Sequence, residues 1–170
     1  MSRPAPAVAR SGRGCRVSNL IQATCVAIRG RGLLIQGPPG SGKSSLALAL
    51  IDRGAALVGD DGLTVAAKGS VLMASPPPNI AGLIEVRNVG LLARPTVGPV
   101  PIALALRLDP QAPRLPEAPE MLPIAGINLP CLALWPDSPV LPLRAEAALE
   151  RWGLSIDLQQ GHIGRDHDRS

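Results

Sequence analysis

The stretch Gly37-Pro38-Pro39-Gly40-Ser41-Gly42-Lys43-Ser44 constrains this chain more than any other. It is spelled G-x-x-x-x-G-K-[ST], the pattern of a loop that cradles phosphate groups. Gly40 and Gly42 allow the backbone to curl until its N–H groups point inward at phosphate oxygens. Such a loop has to sit between a strand and a helix, and both flanks comply. Leu33-Leu34-Ile35 is an apolar run typical of a buried strand. Ser44 to Arg53 holds good helix formers, and Gly54 follows where a helix C-cap is wanted. The helix N-terminus then adds a dipole that favours anions. The chemistry assigns Lys43 to the β- and γ-phosphates and the Ser44 hydroxyl to Mg²⁺. The expected nucleotide-binding set is Gly37, Pro38, Pro39, Gly40, Ser41, Gly42, Lys43, Ser44 and Ser45.

A second buried strand, Ala55 to Val58, ends in Gly59-Asp60-Asp61, completing a strand–loop–helix–strand unit and an α/β class. In a parallel sheet the ends of neighbouring strands face one crevice. Asp60 and Asp61 are therefore the candidate catalytic carboxylates, with Lys43 opposite. If the pair stays extended their side chains diverge. One would then take a proton from an attacking hydroxyl, and the other would hold water or metal or tune its neighbour. An exposed Asp-Asp-Gly turn is the plainer alternative. Glu85 and Arg87 lie in the apolar stretch 80–92, where a carboxylate needs a partner or a metal. In an extended segment they would face the same side, and a structural ion pair between them is the simplest reading.

Elsewhere, residues 17–28 have strand character, a hairpin is expected from Leu63–Ala67 and Val71–Ala74, and Ile102–Leu108 reads as a strand. Prolines recur every third residue at 110–119 and 136–142, which suits stiff surface loops. Leu143–Trp152 closes the chain as an amphipathic helix. One domain is expected over residues 17–155, with a disordered tail over 1–16 and a frayed one over 156–170.

Charge and composition remove whole classes of function. Residues 1–51 carry seven basic groups and no Asp or Glu, whereas residues 52–170 carry ten basic and thirteen acidic groups. The positive balance thus belongs to the first third, not to a folded basic face, which argues against a nucleic-acid binder. The chain has no Tyr or Phe and two Trp, Trp135 and Trp152, too few for base-stacking platforms. The charge-free stretch 121–136 is short and broken by Pro123, Pro130 and Pro136, so no membrane span is expected. Cys15, Cys25 and Cys131 form no metal-ligand spacing and suit a reduced, cytoplasmic compartment.

The run GRGLLIQGPPGSGKSSLALALIDRGAALVGDD (residues 30–61) resembles the kinase domain of bacterial HPr kinase/phosphorylase. LIEVRNVGLL (83–92) is similar to that family's LEIRGLG segment, and IALALRL to one of its strands. The resemblance covers about residues 17–150, and this chain would then be a short form without the family's extra N-terminal domain. It implies a P-loop domain with a mixed sheet resembling the phosphoenolpyruvate carboxykinase-like fold. It also implies ATP and Mg²⁺ as cofactors and phosphorylation of a serine of HPr, a phosphocarrier of the sugar phosphotransferase system, with phosphorolysis as the reverse reaction. By position, Asp61 matches the family's proton acceptor with Asp60 beside it, and Glu85 matches a metal ligand alongside Ser44. A homo-oligomer is implied.

Two positions depart from the family pattern. The family's catalytic histidine lies 21 residues before the loop lysine, where this chain has Gln22. Glutamine can exchange hydrogen bonds but does not titrate near neutral pH. The family's arginine-bearing loop, P-V-R-x-G-R-N, is replaced by Trp135-Pro136-Asp137-Ser138-Pro139-Val140. Forward transfer is therefore expected to survive better than phosphorolysis. Two alternatives stand beside the kinase: a nucleotide-binding regulatory module without catalysis, and a small-molecule P-loop kinase, which would need an arginine-rich lid.

Overall fold

The computed structural model of the chain describes residues 18–79 and 82–156. The expected tails lie outside the described residues, apart from Ile156. The strands are β1 (Asn19–Ile21), β2 (Thr24–Ile28), β3 (Arg31–Gln36), β4 (Ala56–Gly59), β5 (Leu63–Lys68), β6 (Val71–Ser75), β7 (Leu83–Val86), β8 (Gly90–Ala93), β9 (Val100–Leu108), β10 (Glu120–Ile124) and β11 (Ile127–Leu134). The helices are α1 (Lys43–Asp52) and α2 (Leu141–Trp152).

Nine strands form one mixed sheet in the order β1-β5-β6-β9-β3-β2-β4, with β11 also parallel to β9 and β10 outside it. The centre is β9, parallel to β3, with every residue but Arg107 buried. Its side chains feed two cores, as a doubly covered strand requires, and the alternation between them is reset at Ala103, where the β3–β9 register shifts. Leu104, Leu106 and Leu108 pack with Leu33 and Ile35 beneath Leu46 and Leu50 of α1 and Leu149 of α2. Ile102 and Ala105 face the other way, with Leu34 and Cys25, against Leu63, Val65 and Leu72 of the β5–β6 hairpin. Helices thus cover one face of the central strands, and the β1–β5–β6 ribbon covers the other. The β7–β8 hairpin stands apart as a two-stranded sheet and rests on the helical side through buried Ile84.

The expected loop strand, loop helix and β5–β6 hairpin are all present. Residues 17–28 do not form one strand: β1 and β2 are separated at Gln22-Ala23. The expected parallel neighbour relation also differs. β4 does not pair with β3, because β2 lies between them, antiparallel to both. The loop strand and the acid strand still run the same way, so their C-terminal ends share an edge. The second helix starts two residues earlier than expected, with Pro142 in its first turn, where a missing N–H costs nothing. No strand was expected in 120–134, yet β10 and β11 pair there through an Ala125-Gly126 turn with φ of 50° and 79°.

Candidate active site

The phosphate loop leaves the buried end of β3 at Gln36 and enters α1 at Lys43. Gly40 and Gly42 take φ of 78° and 98°, the left-handed region that glycine enters without cost. A Cβ on Gly37 would lie 2.4 Å from the Ser41 hydroxyl, so the loop closes on itself there. That Ser41 Oγ is buried and has no hydrogen-bond partner among the described residues. No side chain caps α1, and no acidic residue stands in its first turn. Its first N–H groups are therefore free for an anion. Lys43 Nζ folds back and donates to the carbonyls of Gly37 (2.8 Å) and Pro38 (3.2 Å), bridging the loop.

Asp60, at the end of β4, is the hub of the site. Its Oδ1 accepts from Ser44 Oγ at 2.7 Å and from Thr24 Oγ1 at 2.9 Å. Its Oδ2 accepts from the backbone N–H of Glu85 at 3.0 Å. One carboxylate thus ties the loop helix, the intervening strand β2 and the β7–β8 hairpin together. Asp61 turns away, with φ of 56°, and its N–H donates to Thr24 Oγ1 at 3.3 Å. Aspartate is among the few residues with a side chain that accept this backbone. The pair does not stay extended, and the divergence comes from this bend instead: Asp60 is engaged in the network, and Asp61 is exposed to a cavity of about 340 Å³.

That cavity brings together most of the expected site. Gly37, Pro39, Gly40, Gly42, Lys43, Ser44 and Ser45 of the loop and helix line it, together with Asp61, Glu85, Arg87 and Gln22. Pro38 contributes its carbonyl to Lys43, and Ser41 lies within the loop. Glu85 and Arg87 make no ion pair among the described residues, because Arg87 begins the Arg87-Asn88-Val89 turn instead of continuing β7. The sequence reading missed two participants. Thr24 is the one buried polar residue recorded among the described residues. Arg87 enters the cavity rather than a structural pair.

The donors suit a hard cation. Ser44 Oγ, the Asp60 carboxylate bound to it and the Glu85 carboxylate at the cavity are all oxygens. No group of three or more His, Cys, Asp and Glu able to hold a metal occurs among the described residues. Mg²⁺ is usually held by one or two protein oxygens together with phosphates and water, and the oxygens of Ser44 and Glu85 are of that kind.

Fold and cavity together define an α/β domain that presents a phosphate-loop sequence and three carboxylates, Asp60, Asp61 and Glu85, at one edge of a mixed sheet. Comparison with known proteins narrows this. The family described as HPr Serine kinase C-terminal domain matches residues 16–97, a span that holds every residue of the cavity. HPr kinase/phosphorylase of Clostridium acetobutylicum is 42% identical over 77 residues, 45% of this chain and 25% of that protein. The Enterococcus faecalis HPr kinase/phosphorylase is 32% identical over 127 residues, 67% of this chain and 41% of that protein. The solved structure of the HPr(Ser) kinase/phosphatase from Coxiella burnetii superposes with a TM-score of 0.69 at 30% identity. It covers 78% of this chain and 94% of the solved one. The chain belongs to the HPr kinase/phosphorylase family. It spans roughly a quarter to two fifths of these two curated relatives, 25% and 41%. No described helix is long and apolar enough to cross a membrane.

Proposed function

We propose that this chain is an ATP-dependent kinase that phosphorylates a serine of an HPr-type phosphocarrier protein in the cytoplasm. The domain is read as a P-loop domain of the phosphoenolpyruvate carboxykinase-like type, and a homo-oligomer is expected from the family. The observation that carries the reading is the Asp60 hub. It links Ser44 of the loop to the hairpin bearing Glu85, while leaving Asp61 facing the cavity.

The family's pattern and this geometry together support one set of roles. The loop amides and Lys43 hold the phosphates, and Lys43 must exchange its two carbonyl partners for phosphate oxygens. Ser44 and Glu85 are the protein ligands for Mg²⁺. When bound, the ion supplies charge neutralisation at the transferred phosphoryl group. Asp61 accepts the serine proton as the serine oxygen bonds to phosphorus and ADP departs with the bridging oxygen. Asp60 is a positioning residue that aligns the Ser44 hydroxyl and the hairpin. A transfer assay from labelled ATP to HPr tests the reading. The wild-type chain is expected to label HPr, and Asp61→Asn to reduce labelling at least about a hundredfold. Labelling that survives Asp61→Asn unchanged would overturn the base assignment.

Gln22 supports a second reading, a nucleotide-binding module without catalysis, because a group that cannot titrate near neutral pH lines the cavity where the family carries histidine. Nucleotide binding by wild type with no transfer would favour it. The small-molecule kinase loses support: described residues 100–140 hold strands and loops and no lid helix.

A further inference from the structure

We propose that Arg87 is a phosphate ligand, a second cation that closes over the transferred end of the nucleotide opposite Lys43. The inference rests on the kinase reading for the identity of the nucleotide, but not for the presence of a phosphate.

Lys43 and Arg87 are the two basic side chains lining the cavity among the described residues. Lys43 is held by loop carbonyls, whereas Arg87 makes no ion pair among the described residues. Its Nη2 lies 3.8 Å from the position a Cβ would take on Gly40, so the guanidinium sits beside the loop's left-handed turn. Its placement is fixed from behind. Ile84 is fully buried under the hairpin, the Glu85 N–H is bonded to Asp60, and Val89 N–H donates to the Val86 carbonyl at 3.0 Å to close the turn. The hairpin backbone is thus anchored, and it carries an exposed guanidinium to the cavity, a planar fork of donors whose geometry matches phosphate oxygens two at a time. Arg87 shares the hairpin with Glu85 and the cavity with Asp61; with Asp61 as the base of the kinase reading, that places it toward the transferred phosphoryl group. A triphosphate should therefore feel it more than a diphosphate.

Calorimetric titration of the full chain with inorganic pyrophosphate, without magnesium, tests this directly. Arg87→Gln is expected to weaken binding at least tenfold, equivalent to about 1.4 kcal/mol. Arg87→Lys should recover part of the loss, because it restores charge without the planar fork. Arg114→Gln, which removes an exposed arginine outside this cavity, should change nothing. Arg87→Gln should also narrow the preference for ATP over ADP. Wild-type and Arg87→Gln affinities within twofold of each other would overturn the inference, even if HPr is phosphorylated. Wild type that binds no pyrophosphate would overturn it too. Arg87-dependent binding without any transfer to HPr would sustain the inference while the kinase reading fails.

Discussion

Thr24→Val probes whether the site is built as a network or only happens to sit close together. The substitution keeps the β-branched shape that suits β2 and deletes one hydroxyl. Thr24 is 0% exposed, and its Oγ1 both donates to Asp60 Oδ1 at 2.9 Å and accepts from the Asp61 N–H at 3.3 Å. Losing a hydrogen bond to a charged group costs about 1.5–3 kcal/mol. A methyl buried in place of the hydroxyl returns up to about 0.8 kcal/mol. The Asp61 N–H lies at an exposed residue and can turn to water, so it adds little. The net expectation is a loss of about 1–2 kcal/mol. At roughly 2–4 °C per kcal/mol for a domain of this size, Tm should fall by about 2–8 °C. Thermal unfolding followed by circular dichroism reads that shift. Repeating it with Asp60→Ala and the double variant isolates the pair, and a coupling of at least about 1 kcal/mol is expected. A Thr24→Val chain as stable as wild type, or losses that simply add in the double variant, would refute the network.

Gly37→Ala should distort the loop: the new Cβ would lie 2.4 Å from Ser41 Oγ, forcing that hydroxyl to rotate, and 3.2 Å from Ser41 Cβ, where the loop itself has to give. Pyrophosphate affinity should fall more than tenfold by calorimetry, which corresponds to about 1.4 kcal/mol. Burial pushes the Cys25 thiol up to about 12 from its ordinary value of 9.0. The folded chain then keeps a proton that the unfolded chain releases. This stabilisation is complete below pH 9 and declines by at most about 1.4 kcal/mol per pH unit as pH rises toward 12. Thermal unfolding of wild type and Cys25→Ala across pH 8–10.5 checks the difference in slope. Phosphate-stimulated dephosphorylation of serine-phosphorylated HPr should be weak or absent, given Gln22 at the cavity. Release of pyrophosphate at a rate matching forward transfer would refute that.

The local parts of the site were legible because their signals are local. Glycines at fixed offsets, an apolar run and a helix-forming stretch identify loop, strand and helix without knowledge of the rest of the chain. Asp60 and Asp61 followed because the strand after the helix returns to the same edge. What escaped depends on pairing. Nothing in the composition of 24–28 says that β2 inserts between the loop strand and the acid strand, so Thr24 passes as one polar residue in an apolar run. Arg87 was drawn to Glu85 by their spacing, which presumes an extended chain. The Asn88 at φ of 67°, followed by Gly90, is the turn signal that could have separated them. Pro123 and Pro130 hid β10 and β11, since proline inside a run argues against a strand. Pro123 is tolerated because β10 pairs on one side only.

The position of β9 bears on the order in which this domain can fold. Everything that touches the cavity comes from residues 22–87, and the β2–β3 and β5–β6 pairings within that span are between chain neighbours. Such local pairings close early and at small entropic cost. The central strand arrives only at Val100–Leu108, yet it pairs with β3, β6 and β11 and contributes to both cores. A nascent chain therefore contains the whole chemical apparatus before it contains the strand that gives the apparatus a floor. Until β9 docks, the edge of β3 beside the phosphate loop remains open, and strand pairing with another unfinished copy is the natural competing reaction.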